Sequence, residues 1–130
     1  MLILDELLYS EEHIWVRRDG DNTFTIGITD YAQTELGDLS YIELPNEGDE
    51  IESCEPFGSV ECESLVADLY APLCGYVMQV NGDVLDDPAL INESPYTDGW
   101  ILRVKCPNLD ELDALMSADD YEEYVLTAIL

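Results

Sequence analysis

Four cysteines and one histidine are the first candidates of this chain for zinc ligands and for reactive side chains. The cysteines are Cys54, Cys62, Cys74 and Cys106, and the histidine is His13. No two cysteines form a C-x-x-C pair, and His13 lies far from all of them in the sequence. Zinc sites draw their ligands from closely spaced pairs, so we expect no metal site.

Catalytic groups are also sparse. The single histidine has no nucleophile at the spacing of a catalytic pair, and no glycine-rich segment has the pattern of a phosphate-binding loop. Carboxylates are abundant, but abundance alone does not bring two of them together in a site. We therefore expect a protein that is not an enzyme.

The charge of the chain is strongly unbalanced. Thirty Asp and Glu residues face four Lys and Arg residues, which gives a formal net charge of −26. Such a surface repels the phosphate backbone of nucleic acids and anionic lipid headgroups, so we expect neither as a partner. A basic protein surface fits this charge, unless the charge serves solubility alone. Self-repulsion predicts a monomer.

The length of 130 residues suits one domain, residues 1–130, and the hydrophobic share of 47% argues against disorder. The apolar start of the chain is followed at once by Asp5 and Glu6, which is not typical of a secretory signal. No run approaches the ~18 apolar residues of a membrane span. We expect a cytoplasmic protein with reduced thiols, the alternative being an organellar form without its transit peptide.

Polar and apolar residues alternate over short stretches, which predicts a strand-rich chain. The predicted strands cover residues 15–18, 23–28, 40–44, 57–62, 66–71, 75–80 and 100–104. A helix is predicted after Thr29 or Asp30, with Gly37 as its stop, and a helical turn is predicted at Pro88. Two short helices are predicted near the C-terminus, with Ser117 capping the second. This pattern predicts a small barrel or sandwich with helical flanks.

Five stretches of the sequence match the pattern of a known family in order and spacing. They are residues 9–16 (YSEEHIWV), 25–33 (TIGITDYAQ), 36–45 (LGDLSYIELP), 60–72 (VECESLVADLYAP) and 92–100 (NESPYTDGW). Together they resemble the H protein of the glycine cleavage system, whose fourth stretch reads V-E-S-V-K-A-A-S-D-V-Y-A-P without a gap. This resemblance covers nearly the whole chain. It implies a mainly β, lipoyl-domain-like barrel-sandwich hybrid with short flanking and C-terminal helices.

The resemblance also implies where the family's chemistry would lie. In that family a lysine at a tight hairpin tip is joined by an amide to lipoic acid. The arm carries an aminomethyl group, and then two thiols, between the decarboxylase, the aminomethyltransferase and the dihydrolipoyl dehydrogenase. Ser64 occupies the position of this lysine and supplies neither an amine nor a long stem, so we expect no lipoyl cofactor on this chain. The residues expected to flank the tip are Glu61, Cys62, Glu63, Leu65 and Asp68.

Further departures from the family pattern concern a charge and a thiol. The acid of the family's H-E-W motif lies near the carried amine, and this position is Ile14, which removes a negative charge. Cys62 could replace the missing arm, but Glu61 and Glu63 should raise its pKa, so an inert thiol is expected. The only lysine, Lys105, aligns with ordinary family positions and is expected to be a surface residue.

Two functions remain open after these comparisons of residues. The first is an H-like scaffold that no longer carries a group and acts as a protein-interaction module toward glycine cleavage or lipoate-pathway enzymes. The alternative is a working carrier of the aminomethyl-lipoyl group in glycine decarboxylation, with its natural lysine replaced or an unusual attachment. Because Cys62, Glu63, Leu65 and Val66 also differ from the family pattern, the change at the tip is not a single-site exchange.

Overall fold

The structure, a computed structural model, describes residues 2–129. The strands of the described residues are β1 (Leu8–Tyr9), β2 (Ile14–Arg18), β3 (Thr23–Ile28), β4 (Leu39–Glu43), β5 (Glu50–Ile51), β6 (Pro56–Cys62), β7 (Val66–Tyr70), β8 (Gly75–Val80) and β9 (Leu102–Lys105). The helices are α1 (Asp30–Leu36), α2 (Gly82–Asp86), α3 (Ala89–Glu93), a 3-10 helix (Leu109–Ala114) and α4 (Ala118–Ile129). Residues 1 and 130, the ends of the expected single domain, lie outside the described residues, and that domain assignment stays a prediction.

The strands form two antiparallel sheets. The larger sheet has the order β1-β2-β3-β9-β8-β5, and the smaller has the order β4-β6-β7. Alternate residues of each strand face the space between the sheets, where Val16, Ile26 and Leu102 join Ile42 and Val60 in one apolar core. The predicted mainly β fold with short flanking helices is confirmed.

Helix α1 begins and ends as the sequence predicts. Of the two candidate caps, Thr29 is the N-cap, and its hydroxyl accepts a hydrogen bond of 3.3 Å from the Ala32 backbone N–H. Gly37 follows the helix with φ 79° and ψ −157°, a region that is open essentially to glycine alone. The stop at Gly37 is therefore confirmed, and α1 lies along one side of the barrel.

A second apolar cluster lies on the outer face of the larger sheet, under α4. Ser117 caps this helix through the Asp120 N–H at 3.3 Å, as predicted. The ring of Tyr121 stacks on the ring of Tyr9, with centroids 4.6 Å apart, and Trp15 is buried in the same cluster. Burial of these rings fixes the C-terminal helix against β1 and β2.

Some elements differ from the sequence-based expectation. The first C-terminal helix is a 3-10 helix, and the late strand begins at Leu102 rather than at residue 100. Helix α2 follows directly after β8, where no helix was predicted, and the buried Asn81 side chain caps it by accepting a hydrogen bond from the Asp83 N–H. Strands β1 and β5 are only two residues long, too short to show alternation. Within residues 2–129, no helix is long and apolar enough to cross a membrane.

Candidate functional site

The β6–β7 hairpin belongs to the smaller sheet, and its tip holds Ser64. The two strands pair up to the tip, where the Cys62 N–H donates a 3.0 Å hydrogen bond to the Leu65 carbonyl. Glu63 and Ser64 thus form a two-residue loop. Neither has a positive φ, so the turn is not one of the primed types that require glycine or asparagine. This explains why the sequence shows no turn residue here.

The side chains at the tip are open to solvent. Glu63 and Ser64 are exposed, and Leu65 and Val66 are 48% and 61% exposed although they are apolar. Lys105, the only lysine, lies in β9 of the other sheet. The tip therefore presents a hydroxyl and apolar side chains, and no amine to which an amide could be attached.

The pKa of the Cys62 thiol shifts in the direction opposite to the expected one, and its expected inertness stays a prediction. Its pKa is lowered, chiefly because the backbone N–H of Ser64 at the turn stabilises the thiolate. The expected rise of this pKa from Glu61 and Glu63 is wrong, because hydrogen bonds to the charged sulfur favour ionisation, while Glu63 is exposed and Glu61 partly exposed. Cys62 is partly exposed, and its Sγ lies 4.0 Å from the Ser64 hydroxyl. The pKa of Cys62 is lowered, whereas the pKa values of Cys74 and Cys106 are raised.

A cleft of about 340 Å³ opens beside β7, between β2 and α1. Ile14 and Asp68 both contribute to its wall, so the structure brings these two predicted site residues together. Ser64 and the other four predicted tip residues do not line it. The full lining comprises Glu12, His13, Ile14, Ile28, Tyr31, Ala32, Glu35, Leu36, Val60, Ala67, Asp68 and Leu69.

The cleft keeps a negative charge despite Ile14. The Ile14 side chain is 1% exposed and packs into the main core, so it adds an apolar base to the cleft. Glu12, Glu35 and Asp68 supply three carboxylates around it. A cationic group placed in this cleft would therefore still meet acidic side chains, and the loss of charge at Ile14 is only partial.

His13 forms one wall of the cleft and connects it to α4. Its backbone has φ 67°, uncommon for a residue other than glycine. Its Nδ1 lies 2.8 Å from the Tyr121 hydroxyl, which in turn lies 2.8 Å from the Thr29 hydroxyl. Burial lowers the pKa of His13 against the opposing effect of Glu12 and Glu35. Burial around the imidazole therefore disfavours its charged form.

Sequence reasoning missed part of this cleft. Tyr31 and Glu35 stand four residues apart on α1, as do Ala32 and Leu36, and all four line the cleft. Their spacing places them on one face of the helix, a signal that the sequence contains. That this face looks toward β7 depends on tertiary packing.

Two of the remaining thiol residues, Cys74 and Cys106, share Glu111 as a neighbour. The Cys106 thiol lies 3.5 Å from a carboxylate oxygen of Glu111, and the Cys74 backbone N–H donates to the same carboxylate. Burial raises the pKa of Cys106. For Cys74, the Ser53 N–H lowers the pKa, but the Glu111 carboxylate and burial together raise it by more, so the pKa of Cys74 is raised as well. In the part of the chain that the structure describes, no group of three or more His, Cys, Asp or Glu residues could hold a metal ion.

Two facing antiparallel sheets, the smaller of which contains a tight hairpin with an exposed tip, define the lipoyl-domain-like class of barrel-sandwich proteins. A family model described as "Glycine cleavage H-protein" matches residues 7–128. The chain belongs to the glycine cleavage H-protein family. Members of this family are carriers rather than catalysts, so the chain is a carrier-type protein and not an enzyme.

Similarity to individual relatives extends over nearly the whole chain. It is 50% identical over 125 residues to the glycine cleavage system H protein of Staphylococcus carnosus, covering 96% of this chain and 98% of the relative. It is 52% identical over 120 residues to that of a Geobacillus species, covering 92% and 94%. A crystal structure of an H protein from Mycobacterium marinum superimposes with a TM-score of 0.84 at 32% identity, covering 98% of this chain and all of that one. The predicted barrel-sandwich fold is confirmed.

Proposed function

We propose that this chain serves the glycine cleavage system as an H protein that docks on the system's enzymes without a lipoyl group on Ser64. Family membership supports the system and the protein partners. The observation that carries the finer proposal is the tip itself, where an exposed serine stands and the only lysine lies in the other sheet. The tip residues do not fit an amide-linked lipoyl group.

The second candidate is a working carrier, with the arm attached in another way or the natural lysine replaced. The comparisons favour this candidate, because relatives about half identical over nearly their whole length bear the name of the carrier. The three carboxylates around the cleft also suit a cationic cargo. The two candidates share the scaffold and differ only in whether the tip is loaded.

Intact mass spectrometry after co-expression with a lipoate ligase separates the candidates. The unmodified chain has a mass of 14.6 kDa, and we expect this mass to persist. The Ser64→Lys variant restores the amine at the exposed tip and should gain a lipoyl group. A lipoyl mass on the unaltered chain would refute the first candidate.

Two controls locate any modification. Lys105→Arg keeps the charge in β9 while removing the only amine side chain, so a lipoyl mass lost in this variant would place the attachment at Lys105. A mass that persists in it would point to the N-terminal amine or to an ester or thioester, and peptide mapping would show whether the group is at the tip. Docking itself is tested at low salt with the purified enzymes of the system, and failure to bind any of them would count against the first candidate.

A further inference from the structure

All four basic residues of this acidic chain lie on two strands of the larger sheet. Arg17 and Arg18 belong to β2, and Arg103 and Lys105 belong to β9. Only β3 separates these strands, so the two pairs stand roughly 10 Å apart across the sheet. The chain's positive charge is therefore concentrated in one place.

Three of the four share the outer face of the sheet. Thr25 pairs with Arg17 on one side and with Arg103 on the other, so the side chains of the two arginines lie in one cross-strand row with Thr25 between them. Lys105 stands two residues after Arg103 and therefore faces the same side. Arg18 alternates to the other side, where its guanidinium donates to backbone carbonyls of its own hairpin turn.

Among the described residues, Arg103 and Lys105 form no ion pair within 4 Å, and the carboxylate in their cross-strand row, Glu50, is separated from Lys105 by Tyr76. Among the described residues, the one ion pair joins Arg17 and Asp19 at 3.0 Å. The Arg103 guanidinium lies 4.7 Å from the centroid of the Trp100 ring, and its Nη1 donates to Gln79 at 3.0 Å. Within residues 2–129 its Nε and Nη2 have no hydrogen-bond partner, which leaves one edge of a fixed guanidinium fork open.

Apolar surface adjoins these cations. Tyr76 stands directly opposite Lys105 in the β8–β9 ladder and is 48% exposed, and Met78, at the neighbouring bulge, is 49% exposed. Helix α4 covers the part of the outer face around Trp15. The part around Arg103 and Lys105 has no such cover among the described residues.

We infer that this surface, here called the basic face and made of Tyr76, Gln79, Trp100, Arg103 and Lys105, is a docking site for a carboxylate-rich, apolar-bearing segment of a partner protein. A carboxylate matches the open edge of Arg103 in bidentate geometry, with Lys105 as a second cation. An apolar side chain of the same segment would lie on Tyr76. The inference concerns a surface separate from the tip and does not depend on lipoylation.

Charge decides among possible occupants. Nucleic-acid binding of useful strength draws on roughly 6–10 phosphate contacts, whereas this face offers two free cations beneath a net charge of −26. A second copy of the chain brings another −26, and the two copies repel each other. A short acidic segment on an otherwise neutral or basic partner contacts the two cations directly. The distant carboxylates of this chain repel it only weakly, because solvent ions screen charges beyond about 8 Å.

The test uses a fluorescein-labelled peptide of alternating glutamate and leucine, titrated with the full chain and followed by fluorescence anisotropy. We expect saturable binding that weakens about tenfold in Arg103→Gln and in Lys105→Gln, the loss of one charged hydrogen bond. Arg18→Gln is the matched control, since it removes the same charge from the same sheet but from the other face. It should change the affinity by less than about twofold, because only the net charge changes.

A second measurement places the peptide. The indole N–H resonance of Trp100 in a proton–nitrogen spectrum should shift on peptide addition, and that of buried Trp15 should not. Absence of binding, or equal weakening by Arg18→Gln, would overturn the inference. Equally tight binding of oligothymidylate would assign the face to phosphates instead. A dimer in sedimentation that Arg103→Gln dissociates would assign it to a second copy.

Discussion

The Tyr121 hydroxyl is the polar link between α4 and the wall of the cleft, and Tyr121→Phe removes it while keeping the ring. The hydroxyl lies 2.8 Å from both His13 Nδ1 and the Thr29 hydroxyl, at a fully buried position. Each buried hydrogen bond contributes about 1 kcal/mol net, and the Thr29 hydroxyl keeps its bond from the Ala32 N–H, so the loss of the two bonds predicts a cost of about 2 kcal/mol. The stacking on Tyr9 remains.

The loss converts to a temperature shift through the unfolding entropy. At about 2.1 cal/mol/K per residue, the 130 residues have an unfolding entropy of about 270 cal/mol/K, so about 2 kcal/mol lowers Tm by about 7 °C. Calorimetry measures this directly, and urea unfolding gives the same free energy independently. The matched control is Tyr124→Phe on the same helix, whose exposed hydroxyl donates to the Glu11 carbonyl. It should cost under about 0.5 kcal/mol.

Equal stability of the Tyr121→Phe and Tyr124→Phe variants would refute this reasoning, because the two differ in burial and in the number of hydrogen-bond partners. A large loss in Tyr121→Phe without any change in the His13 ring resonances would also contradict it. In that case the hydroxyl would stabilise the helix but would not hold the histidine at the cleft.

Two further predictions concern titrating groups. Near neutral pH, iodoacetamide should alkylate Cys62 at least about tenfold faster than Cys106, because the pKa of Cys62 is lowered while buried Cys106 has a raised pKa. Peptide mapping by mass spectrometry measures both rates. Similar rates would contradict the stabilisation of the Cys62 thiolate by the N–H groups of the turn. The lowered pKa of His13 means that the unfolded chain binds its proton more readily, so this residue costs stability as pH falls below about 6.5. The difference in unfolding free energy between the chain and His13→Asn, which tolerates a positive φ, should therefore shift in favour of the variant on acidification. A pH-independent difference would show that His13 does not titrate differently in the two states.

Local patterns predicted most of the fold, because local chemistry decides those elements. The alternation of polar and apolar residues predicted the longer strands. The helix caps at Thr29 and Ser117 depend on a side-chain hydroxyl, and the helix stop at Gly37 depends on a backbone conformation that glycine allows, so the residue types alone predicted all three. The two-residue strands β1 and β5 were not predicted, because two residues cannot show a period. The 3-10 form of residues 109–114 was not predicted, because the spacing of apolar residues does not distinguish a 3-10 helix from a short α-helix.

The site was predictable only in part. Ser64 was placed by resemblance, since the turn at Glu63 and Ser64 uses no residue that sequence rules associate with turns. The lowered pKa of Cys62 depends on where backbone N–H groups point, which composition does not reveal. Likewise Arg17 and Arg103 are distant in sequence, and only the register through Thr25 shows that they are neighbours.

The scarcity of ion pairs in the described residues has a consequence for the medium in which this protein is stable. The chain has 30 carboxylates and residues 2–129 contain a single ion pair within 4 Å, so added salt has little attraction between charges to weaken and much repulsion to screen. Its surface must be accompanied by a dense cloud of sodium or potassium ions. Added salt should therefore strengthen this fold, and dilution of the buffer should weaken it, in the manner of proteins adapted to brine.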